Sequence, residues 1–136
     1  MTRLYTSNYT IRLADTDAAG IVFFSRVYDY AHSCYEDFMR CEDMPLELIL
    51  KQKQFLLPII KSTAEYKKPL LLGQKITIEL GLENITNSSY GLSYQFSDQQ
   101  QTILARVKTV HVSISAATKN KIDLPEQLLA ILTKEQ

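Results

Sequence analysis

Twice in succession this chain alternates apolar and polar residues at period two. Ile76, Ile78, Leu80 and Leu82 are interleaved with Lys75, Thr77, Glu79 and Glu83, and after the Asn87-Ser88-Ser89 turn Tyr90, Leu92, Tyr94 and Phe96 repeat the pattern. Period two sends successive side chains to opposite faces of a strand, so these are half-buried strands. Their short connection makes them antiparallel. From about Phe24 to Arg40, Val27, Ala31, Cys34, Tyr35 and Phe38 recur at helical spacing, with Asp29, Glu36 and Asp37 on the other faces. A long apolar helix beside such a sheet makes an α+β layer.

Other segments extend this plan. Tyr9, Ile11 and Leu13 read as a first strand, and Pro45 opens a short helix reaching Lys53. Phe55 to Tyr66 reads as a strand, irregular near Pro58, followed by a turn at Gly73-Gln74. A polar Asp98–Gln101 run leads to a long strand from about Thr102 to Ser115. Pro125 then begins a terminal helix carrying Leu128, Leu129, Ile131 and Leu132. A length of 136 residues suits one domain, residues 1–136, with a core that needs no staples.

Fifteen basic and fifteen acidic residues cancel, so no global field draws nucleic acid. Two helical turns hold Cys34 and Cys41 roughly 10 Å apart, too far to bridge, which suits a reducing compartment. The first residues lack the apolar run of a signal peptide, and no segment has the length of a membrane span. A soluble cytoplasmic protein is expected.

Chemistry concentrates in Asp15-Thr16-Asp17-Ala18-Ala19-Gly20-Ile21-Val22-Phe23-Phe24. Two carboxylates and a flexible glycine stand just before the long helix, where backbone amides favour developing negative charge. On residue type alone Asp17 is either a reactive carboxylate or a turn cap. Phe23 and Phe24 read as core packing, which leaves their backbone amides available. The segment resembles the Asp-x-Asp-x-x-Gly-Ile/Val-Val-aromatic motif of the 4-hydroxybenzoyl-CoA thioesterase family. That resemblance covers nearly the whole chain, including the closing strand Ala105–His111. It implies a hotdog fold, an antiparallel sheet wrapped around a long central helix.

By the same resemblance Asp17 attacks a thioester carbonyl, or activates a water that does, while the backbone amide near Phe24 donates to the thioester oxygen. Gly20, Ile21, Val22 and Phe23 then line the substrate. Asp15 is expected to support the loop by holding turn amides. Thioesterases acting on 1,4-dihydroxy-2-naphthoyl-CoA carry a segment similar to His32-Ser33-Cys34-Tyr35-Glu36, and their Leu-Pro-Ile/Leu segment is similar to Leu57-Pro58-Ile59. His32 thus becomes an acyl-group contact, and Pro58 part of an apolar wall for a flat bicyclic ring. Lys61 departs from the histidine frequent in those enzymes. CoA phosphates call for basic or donor groups, for which Lys67, Lys68, Arg106, Ser88 and Ser89 are candidates. His111 reads as structural.

The implied reaction is hydrolysis of 1,4-dihydroxy-2-naphthoyl-CoA in phylloquinone or menaquinone synthesis. It needs no metal or other cofactor and takes place between subunits of a dimer of dimers. The alternatives are a thioesterase for 4-hydroxybenzoyl-CoA, short acyl-CoA or acyl carrier protein, and a non-catalytic module binding acyl-CoA or aromatic ligands. No Gly-x-Ser-x-Gly nucleophile context, metal-ligand spacing or phosphate-binding glycine loop is present. The histidine motif of hotdog hydratases is also missing.

Overall fold

The computed structural model describes residues 2–134. Five strands form one antiparallel sheet: β1 (Thr2–Thr10), β3 (Ile59–Tyr66), β4 (Lys75–Ile85), β5 (Ser89–Ser97) and β6 (Ile103–Val112), ordered β1-β4-β5-β6-β3. A two-stranded ribbon pairs β2 (Phe55–Leu56) with β7 (Ile114–Ser115). The helices are α1 (Arg26–Cys41), α2 (Leu46–Gln52) and α3 (Glu126–Leu132).

The long helix lies where the alternation requires a cover. Val27, Tyr30, Ala31, Cys34, Tyr35, Phe38 and Met39 of α1 are buried in one cluster with Ile76, Ile78 and Leu80 of β4 and Tyr90, Leu92, Tyr94 and Phe96 of β5. The helix touches β1, β4 and β6, so the sheet curves around it. Full burial of each large apolar side chain contributes about 1.5–3 kcal/mol as an upper estimate.

Two expected strands change shape. The first begins at Thr2 and stops at Thr10, and Leu13 lies in a 3-10 turn with 72% of its surface exposed. That turn is set by Asp15, drawn inward to Tyr30, which rolls Leu13 outward. The long final strand breaks at Ser113, whose N–H bonds to the Ser88 carbonyl. Beyond the break, β7 leaves β3 for β2. Pro58, which has no N–H to give a ladder, stands at the matching interruption between β2 and β3.

Candidate active site

The acidic segment is a short hairpin ahead of α1. Thr16 bridges Val22, the Asp17 N–H donates to the Ile21 carbonyl at 2.9 Å, and Gly20 takes φ +77°, a backbone region that glycine enters without strain. Ile21 bridges Leu71, and the Val22 N–H bonds to the Leu70 carbonyl at 2.9 Å, fastening the hairpin to the segment before β4.

The two carboxylates have opposite environments. Asp15 is only 3% exposed; its Oδ2 accepts the Tyr30 hydroxyl at 2.7 Å and the Arg12 Nε–H at 3.3 Å. Its supporting role therefore runs through two side chains, not through turn amides. Its main-chain carbonyl does take the Phe23 N–H at 2.9 Å. Asp17 is exposed, and its Oδ1 accepts the amides of Ala19 at 2.8 Å and Ile21 at 3.3 Å. These amides belong to its own turn, since α1 begins only at Arg26. Oδ2 of Asp17 has no partner among the described residues, so one oxygen is anchored and the other is free to react.

Phe23 and Phe24 are not core residues. They are 51% and 62% exposed, with ring centroids 4.8 Å apart, because the hairpin turns Val22 inward and carries the next two side chains across the surface. The Phe24 N–H makes no hydrogen bond among the described residues, while its carbonyl accepts the Tyr66 hydroxyl at 2.7 Å. A free backbone donor two residues before α1 is where a thioester oxygen would gain stabilisation. Beside it Ile21, Val22, Phe24, Tyr66, Lys67 and Lys68 line a cleft of about 300 Å³.

A second, apolar cavity of about 400 Å³ lies between α1, α2 and the β2–β3 junction. His32, Tyr35, Leu50, Leu57, Pro58 and His111 are among its walls, which unites the sequence candidates His32 and Pro58. His32 is exposed, and neither of its ring nitrogens is hydrogen-bonded among the described residues. Tyr35 and His111 are internally committed. The Tyr35 and Tyr90 hydroxyls share a 2.8 Å bond, and burial pushes the Tyr35 hydroxyl up to about 12. Burial pushes His111 down to about 4, so the ring is neutral at pH 7.

The proposed CoA contacts do not form one group within the chain. Lys67 and Lys68 border the Phe24 cleft, although Lys67 also pairs with Glu65 at 2.9 Å. Arg106 opens instead onto a mixed-charge groove with Arg3, Glu65, Glu79, Glu83 and Lys108. Ser88 and Ser89 stand at the other end of the sheet: Ser89 pairs with Val112, whereas the Lys67 and Lys68 amides bond to Leu104. Eight residues of strand between Leu104 and Val112 span roughly 26 Å. The Ser89 hydroxyl is moreover turned onto Thr86 Oγ1 at 2.6 Å.

Sequence reasoning did not find Tyr66 or the Tyr30–Arg12 support of Asp15. Nothing local marks them, because each meets its partner only through the tertiary fold.

The family model described as the Thioesterase-like superfamily matches residues 11–132. The chain belongs to that superfamily. Among curated relatives of this thioesterase, a 1,4-dihydroxy-2-naphthoyl-CoA hydrolase from Rippkaea orientalis is 30% identical over 122 residues, covering 88% of each chain. One of the same name from Nostoc punctiforme is 28% identical, covering 92% of this chain and 84% of its own. The crystal structure of a 1,4-dihydroxy-2-naphthoyl-CoA thioesterase from Synechocystis superposes with a TM-score of 0.91 at 26% identity, covering 96% of both chains. A gentisyl-coenzyme A thioesterase structure at 22% identity, with a TM-score of 0.83 over 96% of this chain and all of its own, shares the fold. The thioesterase has the hotdog fold, and no helix among its described residues is long and apolar enough to cross a membrane.

Proposed function

We propose that this thioesterase hydrolyses 1,4-dihydroxy-2-naphthoyl-CoA to 1,4-dihydroxy-2-naphthoate and CoA, a step of phylloquinone or menaquinone synthesis. The observation that carries the substrate is the apolar cavity of about 400 Å³, where His32 is the one polar side chain left uncommitted among the described residues. A cavity of about 150 Å³ accommodates benzene, so this one has room for a fused pair of rings with substituents. An imidazole nitrogen at its wall suits an aryl hydroxyl. The similarity to the hydrolases from Rippkaea orientalis and Nostoc punctiforme supports the same choice.

Asp17 is the reactive carboxylate, through the oxygen its turn leaves free. It either attacks the thioester carbon, releasing CoA thiolate and leaving an acyl-aspartyl anhydride for water to cleave, or it takes a proton from the attacking water. The Phe24 N–H donates to the carbonyl oxygen as negative charge develops there. Gly20 to Phe23 shape the approach, and Lys67 and Lys68 meet CoA phosphate. No metal or redox cofactor enters this chemistry. The hairpin and the aryl cavity share no wall residue within one chain, which supports a site completed between two copies in a dimer of dimers. One domain spanning residues 1–136 and a cytoplasmic location complete the reading; the two free cysteines fit a reducing compartment.

Thiol release from a panel of acyl-CoAs tests the proposal. Turnover should favour 1,4-dihydroxy-2-naphthoyl-CoA over benzoyl, 4-hydroxybenzoyl and short aliphatic thioesters. Comparable rates on aliphatic and aryl thioesters would sink the naphthoyl assignment. Binding without turnover of any thioester would replace the enzyme with a ligand-binding module.

A further inference from the structure

The wall of the apolar cavity includes Leu57-Pro58, between β2 and β3, where the sheet ladder is interrupted. Among the described residues two bonds hold this dipeptide. The Val112 N–H donates to the Pro58 carbonyl at 3.1 Å, and His111 Nδ1 lies 3.4 Å from the Leu57 carbonyl. A carbonyl only accepts, so Nδ1 carries the proton and Nε2 is an acceptor. Nε2 is then met by the Thr109 hydroxyl at 3.0 Å, which donates. The ring is held on its faces as well. It stacks on Tyr90 with centroids 4.8 Å apart and planes 4° from parallel, and lies 4.9 Å from Tyr35, which lines the same cavity. His111 is 1% exposed, and both of its nitrogens are spent inside the protein.

From this geometry we infer that His111 is a positioning residue for acyl selectivity: its Nδ1–H clamps the Leu57 carbonyl and so fixes the cavity wall that an aryl group packs against. Thr109 acts one step further back, because its donated hydroxyl selects the tautomer that places the proton on Nδ1. The ring does not touch the reacting atoms. It converts an irregular strand junction into a fixed surface, which favours a rigid flat ligand over a small or flexible one. The inference rests on the reading of this cavity as the acyl pocket.

The test is binding of 1-hydroxy-2-naphthoate by fluorescence titration, with the KM and kcat for 1,4-dihydroxy-2-naphthoyl-CoA measured beside it. An asparagine amide overlays the Nδ1 position of histidine, whereas a glutamine amide reaches the Nε2 position. His111→Asn should therefore stay within about threefold of wild type in affinity, and His111→Gln and His111→Phe should lose at least about tenfold, with the loss in KM more than in kcat. Packing alone predicts the reverse order, since asparagine leaves the largest void of the three. Thr109→Val, outside the cavity lining, should give an intermediate loss and keeps the question open to experiment if the His111 variants unfold.

Leu50→Trp, at the exposed side of the cavity, separates the two readings. Unchanged probe binding in that variant would overturn the cavity as acyl pocket. Weakened binding there, together with asparagine no better than glutamine at position 111, would overturn the clamp alone.

Discussion

Asp15 and Asp17 stand two residues apart, and exchanging either for an uncharged residue should produce opposite phenotypes. In Asp15→Ala the Tyr30 hydroxyl loses its acceptor at 2.7 Å in a buried setting. A buried hydrogen bond to a charged group is worth about 1.5–3 kcal/mol. The Arg12 guanidinium, lying in solvent, adds little to that. The sum is about 2–3 kcal/mol, which for a chain of this length lowers Tm by roughly 10 °C. Turnover measured well below the new Tm should stay within about tenfold of wild type. In Asp17→Asn the retained side-chain oxygen still accepts the Ala19 and Ile21 amides, so stability should change by less than about 0.5 kcal/mol. Its kcat should fall by about two to four orders of magnitude, the range expected when a positioned acid–base group is removed. Circular-dichroism melts and thiol release at saturating substrate measure the two quantities independently. An Asp17→Asn enzyme retaining a tenth of the wild-type kcat refutes the assignment. So does an Asp15→Ala protein that melts normally yet is dead.

Three other perturbations probe different links of the structure. His111 has an ordinary value near 6.5 and is held near 4 in the fold, so the unfolded chain takes up its proton first as the solution is acidified. The stability this residue supplies is therefore complete above pH 6.5 and drains away as pH falls toward 4, by about 3 kcal/mol in all. Urea titrations at pH 7 and pH 4.5 should show that component in wild type and not in His111→Asn; an equal loss of stability between the two pH values in both proteins would contradict it. Tyr66→Phe removes the 2.7 Å bond to the Phe24 carbonyl. A neutral bond of about 0.5–1.5 kcal/mol corresponds to roughly a two- to tenfold fall in kcat, with KM little changed if the bond serves to aim the Phe24 amide. Leu92→Ala, fully buried in β5, should cost about 3 kcal/mol by denaturant titration, whereas Leu50→Ala, 61% exposed, should cost less than about 0.5 kcal/mol.

What the sequence made legible and what it hid divide along one physical line. Periodicity is local, and it identified α1, β4 and β5 with their buried faces: Val27, Ala31, Cys34, Tyr35 and Phe38 all turn inward, as do Tyr90, Leu92, Tyr94 and Phe96. Partner choice is not local. No residue in Ile59–Tyr66 announces that this strand leaves its chain neighbour β4 and pairs with β6 at the far edge. Similarly, Leu13 continued an alternation that the Asp15–Tyr30 bond cut short.

The histidines show the consequence for function. Residue type gives His32 and His111 the same chemistry, and each sits among aromatic neighbours. The fold separates them by consuming both nitrogens of His111 on Leu57 and Thr109 and leaving those of His32 open at the cavity wall. A group that reads a ligand must retain hydrogen-bonding capacity after folding, whereas a group that shapes a pocket must not. By that criterion His32 fits the proposed role of hydroxyl reader and His111 the proposed role of brace. The motif carboxylates differ in reach: each is held through one oxygen, but Asp15 is 3% exposed with that oxygen bound to two side chains, whereas Asp17 stands at the surface with its second oxygen open. Unspent valence at an exposed group, more than residue type, picks out the groups in this chain that are equipped to meet a substrate.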